Sequence, residues 1–122
     1  MDKLQVGELT ISVAPGAAPE ALRLDWHGRS NDRHPGYALG PFLATTLASA
    51  AASGRAIELH FEALSYLNSS TIAAVVQLLN DARKRAVRVV IVYDDALRWQ
   101  RVSIAPLRGL ETSDHLLQIR SA

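Results

Sequence analysis

The side chains of this chain best suited to chemistry stand together at Asn68-Ser69-Ser70-Thr71, flanked by Leu67 and Ile72. Three hydroxyls follow an amide where a short buried run gives way to an amphipathic helix. A helix N-terminus leaves its first backbone N–H groups unpaired and carries the positive end of the helix dipole. Hydroxyls placed there suit a phosphate, either bound or attached covalently to serine. With Asn68 as the N-cap, its side chain accepts from the N–H of Ser70 or Thr71. Leu67 and Ile72 then have the spacing of a hydrophobic staple. Ser69 takes the first helical position with its own N–H unpaired and its hydroxyl toward solvent, and Ser70 is the secondary candidate. Taken without its surroundings, the cluster reads as a helix cap.

The other reactive side chains form no comparable group. His27, His34, His60 and His115 are scattered, with no two at a spacing that sets ligands on one helix face, so no metal site is expected. His60 alternates with Leu59 and Phe61, which places it on the opposite or partly buried side of a strand. Asp94-Asp95 follows a strand, where α/β proteins often hold ligands, but the pair reads more simply as a turn, with Asp95 capping the next helix. No glycine-rich phosphate loop follows a strand, and Ser69 lacks the Gly-x-Ser-x-Gly elbow of a hydrolase. Cysteine is absent, which excludes disulfides, thiolate metal sites and cysteine nucleophiles. Neither catalysis nor a cofactor is expected. The segment Arg29-Ser30-Asn31-Asp32-Arg33-His34 is a charged loop. It is either a solvated connection or a flank of the Ser69 helix, in which case Arg29, Asn31, Asp32 and Arg33 join Asn68, Ser69, Ser70 and Thr71 in a partner-binding surface. Arg98 and Arg101 offer a second contact around Trp99, unless Trp99 packs into the core.

These residues need elements to hold them, and the hydropathy pattern supplies an order. Leu9-Thr10-Ile11-Ser12-Val13 and Leu22-Arg23-Leu24-Asp25-Trp26 alternate with period two and read as strands, separated by a turn at Ala14-Pro15-Gly16. His27 to Gly36 is polar and reads as a loop. Leu39, Leu43 and Leu47 recur at spacing four, which predicts a helix over 37–52 stopped by Ser53-Gly54. Ile57 to Phe61 is the third strand. The clearest helix runs from Ser70 to Arg85, with Ile72, Val75, Val76, Leu79 and Ala82 on its apolar face and Arg83-Lys84-Arg85 at its negative pole. Val87 to Tyr93 is nearly continuous and β-branched, as in a strand buried on both faces. A helix over about 96–107 and a last strand at 116–119 complete the order β-β-α-β-α-β-α-β. Alternation of this kind predicts an α/β fold with a mixed, mostly parallel sheet covered by helices.

At 122 residues the chain fits one domain over 1–122. Its 48% hydrophobic and 20% charged residues suit a folded protein. A net charge of +1 gives no electrostatic reason to expect a nucleic-acid partner. The N-terminal residues lack the apolar run of a signal peptide, and no stretch approaches the roughly 20 apolar residues of a membrane span. The expectation is a cytoplasmic domain with no membrane association.

The stretches IELHFEALSYLNSST, IAAVVQLLNDARKR and VRVVIVY, followed by Arg108-Gly109-Leu110, resemble the STAS domains of the anti-sigma-factor antagonist family. In that family a strand and hydrophobic turn lead to Asp-Ser-Ser-Gly at the start of a helix. The resemblance covers most of the chain and implies a phosphoacceptor role for Ser69. It also implies a serine kinase/anti-sigma factor and a phosphatase as partners, in a partner-switching signalling pathway. Asn68 stands where the family usually has Asp, and Thr71 where it has Gly. The Asn-Ser-Ser form is similar to the SiaC-type branch, which implies a diguanylate cyclase as a further partner. Two other readings stay open on the residues alone. One is a scaffold or subunit in which Ser69 and Ser70 only cap, and the other a small-molecule or nucleotide-binding module using the same helix N-terminus.

Overall fold

Apolar residues at every second position of 9–13 and 22–26 drive two long strands together, and the rest of the sheet grows from the second. The computed structural model describes residues 3–15, 21–34, 36–111, 114 and 116–122. Its elements are β1 (Lys3–Val6), β2 (Leu9–Pro15), β3 (Ala21–Ser30), α1 (Gly36–Ser53), β4 (Ala56–His60), β5 (Leu64–Leu67), α2 (Ser69–Lys84), β6 (Val89–Tyr93), α3 (Arg98–Ile104) and β7 (Leu117–Ser121). A 3-10 turn over Ala105–Leu110 extends α3. Among the described residues the strands form one seven-stranded sheet in the order β1-β2-β3-β4-β6-β7, with β5 also paired to β3. The first two pairings are antiparallel and the others parallel.

The strand order decides where the helices go. From β3 the strands β4, β6 and β7 are laid one beside the next in one direction. A right-handed crossover at every step therefore leaves every connecting helix on the same face. The core has this composition: Ile11, Leu24, Trp26, Leu59 and Ile91 of the sheet meet Leu39, Leu43 and Leu47 of α1, Val75 and Leu79 of α2, and Ile104 of α3. Val90 and Val92 of β6 are buried but stand outside that core. They share the second face with Glu58 and His60, their register partners on β4. The expected cover of helices thus lies on one side of the sheet.

Several element boundaries differ from the hydropathy reading. A strand precedes the expected first one: β1 pairs with β2 across a turn in which Gly7 has φ +58°. The expected loop at 27–36 begins as strand, because β3 continues to Ser30 and pairs there with β5. The buried stripe of α2 is Thr71, Val75, Leu78, Leu79 and Ala82, with Ile72 and Val76 only half-buried at its edge. The third helix is seven residues long and passes into the 3-10 turn at Ala105-Pro106. Gly16 and His115 lie outside the described residues. No helix among the described residues is long and apolar enough to cross a membrane.

Candidate functional site

α2 begins where β5 ends, at the edge of the sheet toward which the parallel strands point. Asn68 has the extended conformation of an N-cap, with φ −93° and ψ 172°. Its Oδ1 accepts two hydrogen bonds from Thr71, from the backbone N–H at 2.9 Å and from the hydroxyl at 2.7 Å. The Thr71 hydroxyl proton is therefore committed to Asn68, so Ser30 Oγ, 2.6 Å from Thr71 Oγ1, is the donor in that second contact. Asn68 Nδ2 donates to the carbonyl of Asp32 at 2.8 Å, and the Asn68 N–H donates to the carbonyl of Ser30 at 3.0 Å. One asparagine thus caps the helix with its oxygen and ties down the 31–34 loop with its nitrogen.

The network leaves the two serines outside it. Ser69 and Ser70 are exposed, and their backbone N–H groups meet no acceptor among the described residues. The first turn of α2 contains no acidic residue. An added phosphate at Ser69 would meet free N–H donors and the positive end of a 16-residue helix, with no carboxylate in that turn to repel it.

Gly28 makes the approach of β3 to this point. It has φ +88°, and the pairing of β3 with β5 shifts register between Gly28 and Arg29. Its backbone passes so close to the turn that opens β2 that an added Cβ would lie 2.1 Å from the Glu8 carbonyl oxygen. Beyond this bulge, the Ser65 hydroxyl donates to the Gly28 carbonyl at 3.0 Å and β3 delivers Ser30 to Thr71. A second anchor comes from α3. The fully buried Gln100 donates through Nε2 to the carbonyls of Phe61 and Leu64 and accepts from the N–H of Asp94. It thereby fixes the turn between β4 and β5.

The surface around Ser69 is polar and aromatic. Arg29, Asn31, Asp32 and Arg33 are exposed, and their loop flanks the helix through the Asp32–Asn68 bond. Asp32 Oδ1 accepts from the N–H of His34 at 2.8 Å, and Asn31 reaches Glu8. The Arg29 guanidinium lies 5.2 Å from the centre of the Tyr66 ring. Tyr37, 83% exposed at the start of α1, tilts against His34 at 5.4 Å between ring centres.

Thr71 departs from the expected surface role. It is fully buried, and its side chain belongs to the cap, so it offers a partner no surface of its own. Asp95 does not cap the third helix. Leu97 occupies that position without a side-chain bond, and it is Asp94 Oδ1 that accepts from Ala96 N–H. Trp99 packs against the core, whereas Arg98 is exposed and Arg101 donates to the Asp95 carbonyl. His60 is buried between Glu58 and Glu62, 3.1 Å from each, on the second face of the sheet. Among the described residues no group of three or more His, Cys, Asp or Glu could hold a metal ion. Ser30, Tyr37 and Tyr66 were not singled out from the sequence. An isolated exposed tyrosine carries no periodic signal, and Ser30 matters only through a residue 41 positions away.

Replacing Asn68 by alanine removes both acceptor contacts and the loop tether. We expect a loss of about 2 kcal/mol of unfolding free energy, the upper end for an N-cap, read by urea denaturation. Asn68→Asp keeps the oxygen acceptors and should hold most of that stability while losing the donor to Asp32. A loss in the aspartate variant equal to that in the alanine variant would assign the effect to the tether alone.

Comparison with known proteins gives a fold. No protein-family model matches the chain, and no curated protein matches it by sequence. Among solved structures, one similar chain belongs to the complex of the diguanylate cyclase SiaD with its activator SiaC from Pseudomonas aeruginosa. That likeness has 22% identity and a TM-score of 0.61 over 98% of both chains. Another is the Bacillus cell fate determinant SpoIIAA in its phosphorylated form, with 15% identity and a TM-score of 0.55 over 89% of both chains.

Proposed function

We propose that this chain, whose fold is STAS-like, is a non-enzymatic regulatory phosphoprotein of a partner-switching pathway. Ser69 is its phosphoacceptor, and the state of Ser69 selects the protein that docks at the α2 N-terminus. The observation that carries this reading is the division of labour in the cap. The Asn68–Thr71 cap does not use the Ser69 hydroxyl, so the exposed Ser69 is not needed for the fold and is accessible to a kinase. Free N–H groups and the absence of carboxylates in the first turn suit a dianion at that point.

The two structural neighbours support the same direction. One is a protein described in a phosphorylated form, the other comes from a complex between a cyclase and its activator. Carried to this chain, the partners are a serine kinase/anti-sigma factor with an opposing phosphatase, or a diguanylate cyclase. They would dock on Asn68, Ser69, Ser70, Arg29, Asn31, Asp32 and Arg33. Tyr37 and Tyr66 add exposed aromatic area to that surface, the residue type that most often anchors an interface.

The test is phosphate incorporation. The chain is incubated with magnesium-ATP and each serine kinase encoded near it, and its intact mass is measured. One phosphate, mapped to Ser69 and absent from Ser69→Ala, is the expected result. Incorporation that persists in Ser69→Ala and vanishes in Ser70→Ala would move the role to Ser70. No incorporation with any of these kinases would overturn the reading in favour of an unmodified scaffold.

A further inference from the structure

We propose a second interaction surface, at the edge of the sheet opposite Ser69: a basic cleft lined by Arg55, Arg85 and Arg88 that receives an acidic segment of a protein partner. The topology creates the cleft. α1 and α2 each return the chain to the start of a parallel strand, so their C-terminal ends meet where β4 and β6 begin. Between them is a hollow of about 310 Å³ lined by Ala51, Ala56, Ala86 and the three arginines. Ala86 holds φ +54°, which turns the chain sharply from α2 into β6 and brings Arg85 and Arg88 to the same rim.

The charge there exceeds what the helices need. Arg83 and Lys84 stand beside the cleft at the end of α2, and all five cations are exposed. None of them enters an ion pair among the described residues. Arg88 is oriented by a 2.7 Å hydrogen bond to Gln118 Oε1. A helix C-terminus carries about −0.5 charge, so two of them offset roughly one cation of five. The whole chain is only +1, which leaves the residues outside this group at −4. The molecule is therefore polarised, with its positive pole at this cleft.

The shape and the polarity choose the occupant. A short acidic segment feels only the local field within a Debye length of about 8–10 Å. Its carboxylates can meet guanidinium forks while its backbone rests on the alanine methyls. A nucleic acid would extend past the cleft over the negative remainder of the surface, and the plane of a bilayer would not enter a hollow.

The experiment titrates the full chain into a fluorescein-labelled peptide of alternating Glu and Ala, at about 0.1 M ionic strength, where the screening length is about 10 Å. Parallel arms use tripolyphosphate, a single-stranded oligonucleotide and vesicles of phosphatidylglycerol with phosphatidylcholine. Saturable peptide binding is expected, weakened about tenfold by Arg55→Glu and by Arg85→Gln with Arg88→Gln, and abolished by high salt. Arg98→Glu, a charge reversal of equal size elsewhere, should leave it unchanged, as should Ser69→Asp. Circular dichroism checks that each variant is folded. The proposal is overturned by absence of saturable binding, by equal loss in Arg98→Glu, or by tighter binding of any of the other three anions than of the peptide.

Discussion

Gly28→Ala lowers the unfolding free energy by about 3–5 kcal/mol, the largest stability loss we expect from a single methyl group in this protein. Two effects add. An L-residue held at φ +88° costs about 1–2 kcal/mol through its own Cβ. The Cβ would also stand 2.1 Å from the Glu8 carbonyl oxygen and 3.3 Å from its carbon, and these are backbone atoms that no rotamer change can move aside. β3 would have to swing away from β2, giving up the Arg29 N–H to Glu8 carbonyl bond and displacing Ser30 from Thr71. Gly7→Ala is the control. Gly7 also has a positive φ, of +58°, but nothing lies within 4 Å of its added Cβ, so only the conformational cost of about 1–2 kcal/mol applies. Urea denaturation of the two variants separates the terms. Equal losses would show that the close approach to Glu8 relaxes freely and that Gly28 does not position the site.

That glycine also marks where a reading of the sequence stops. Leu9 to Val13, Leu22 to Trp26 and Val89 to Tyr93 were legible because their apolar periods match the core they build. The start of α2 was legible for the same reason, with Asn68 in the predicted cap position and Ser69 first in the helix. His27-Gly28-Arg29-Ser30 has no such period. His27 and Gly28 are strand because β2 pairs with them, and Arg29 and Ser30 because β5, far along the chain, does, so pairing with distant segments overrides local preference. β5 itself, four residues with a buried Leu at each end and an exposed pair between, is too short to announce itself by alternation. Thr71 misled for a different reason. A hydroxyl in a polar run looks solvent-facing, yet here its bonds to Asn68 and Ser30 let it be buried at no net loss of partners. The single-sided cover of helices follows from strand order, which hydropathy does not encode.

Phosphorylation of Ser69 should change the affinity of the chain for the protein that binds its unmodified form by at least about 100-fold, with under about 1 kcal/mol of change in its own stability. The asymmetry comes from where the charge sits. On the free domain the phosphate adds roughly −1.5 to −2 charge beside unpaired N–H groups and a helix dipole, an interaction worth about 0.3–1 kcal/mol in favour of the fold. Inside an interface without a cationic partner, the same group costs several kcal/mol in lost hydration. A hundredfold change needs only about 2.7 kcal/mol, since each 1.4 kcal/mol is a factor of ten. The cap network lets the two effects separate, because neither Asn68 nor Thr71 uses the Ser69 hydroxyl. The measurement pairs calorimetric titration of the partner with thermal unfolding, for the unmodified chain, the phosphorylated chain, Ser69→Ala and Ser69→Asp. Ser69→Ala should bind like the unmodified chain. Ser69→Asp, with a single charge and a shorter reach, should fall between it and the phosphorylated form. A switch that worked by unfolding would instead show a large drop in melting temperature in the phosphorylated chain. A surface remote from the partner would show unchanged affinity in all four. Either outcome removes Ser69 as the residue that selects partners at this edge of the domain.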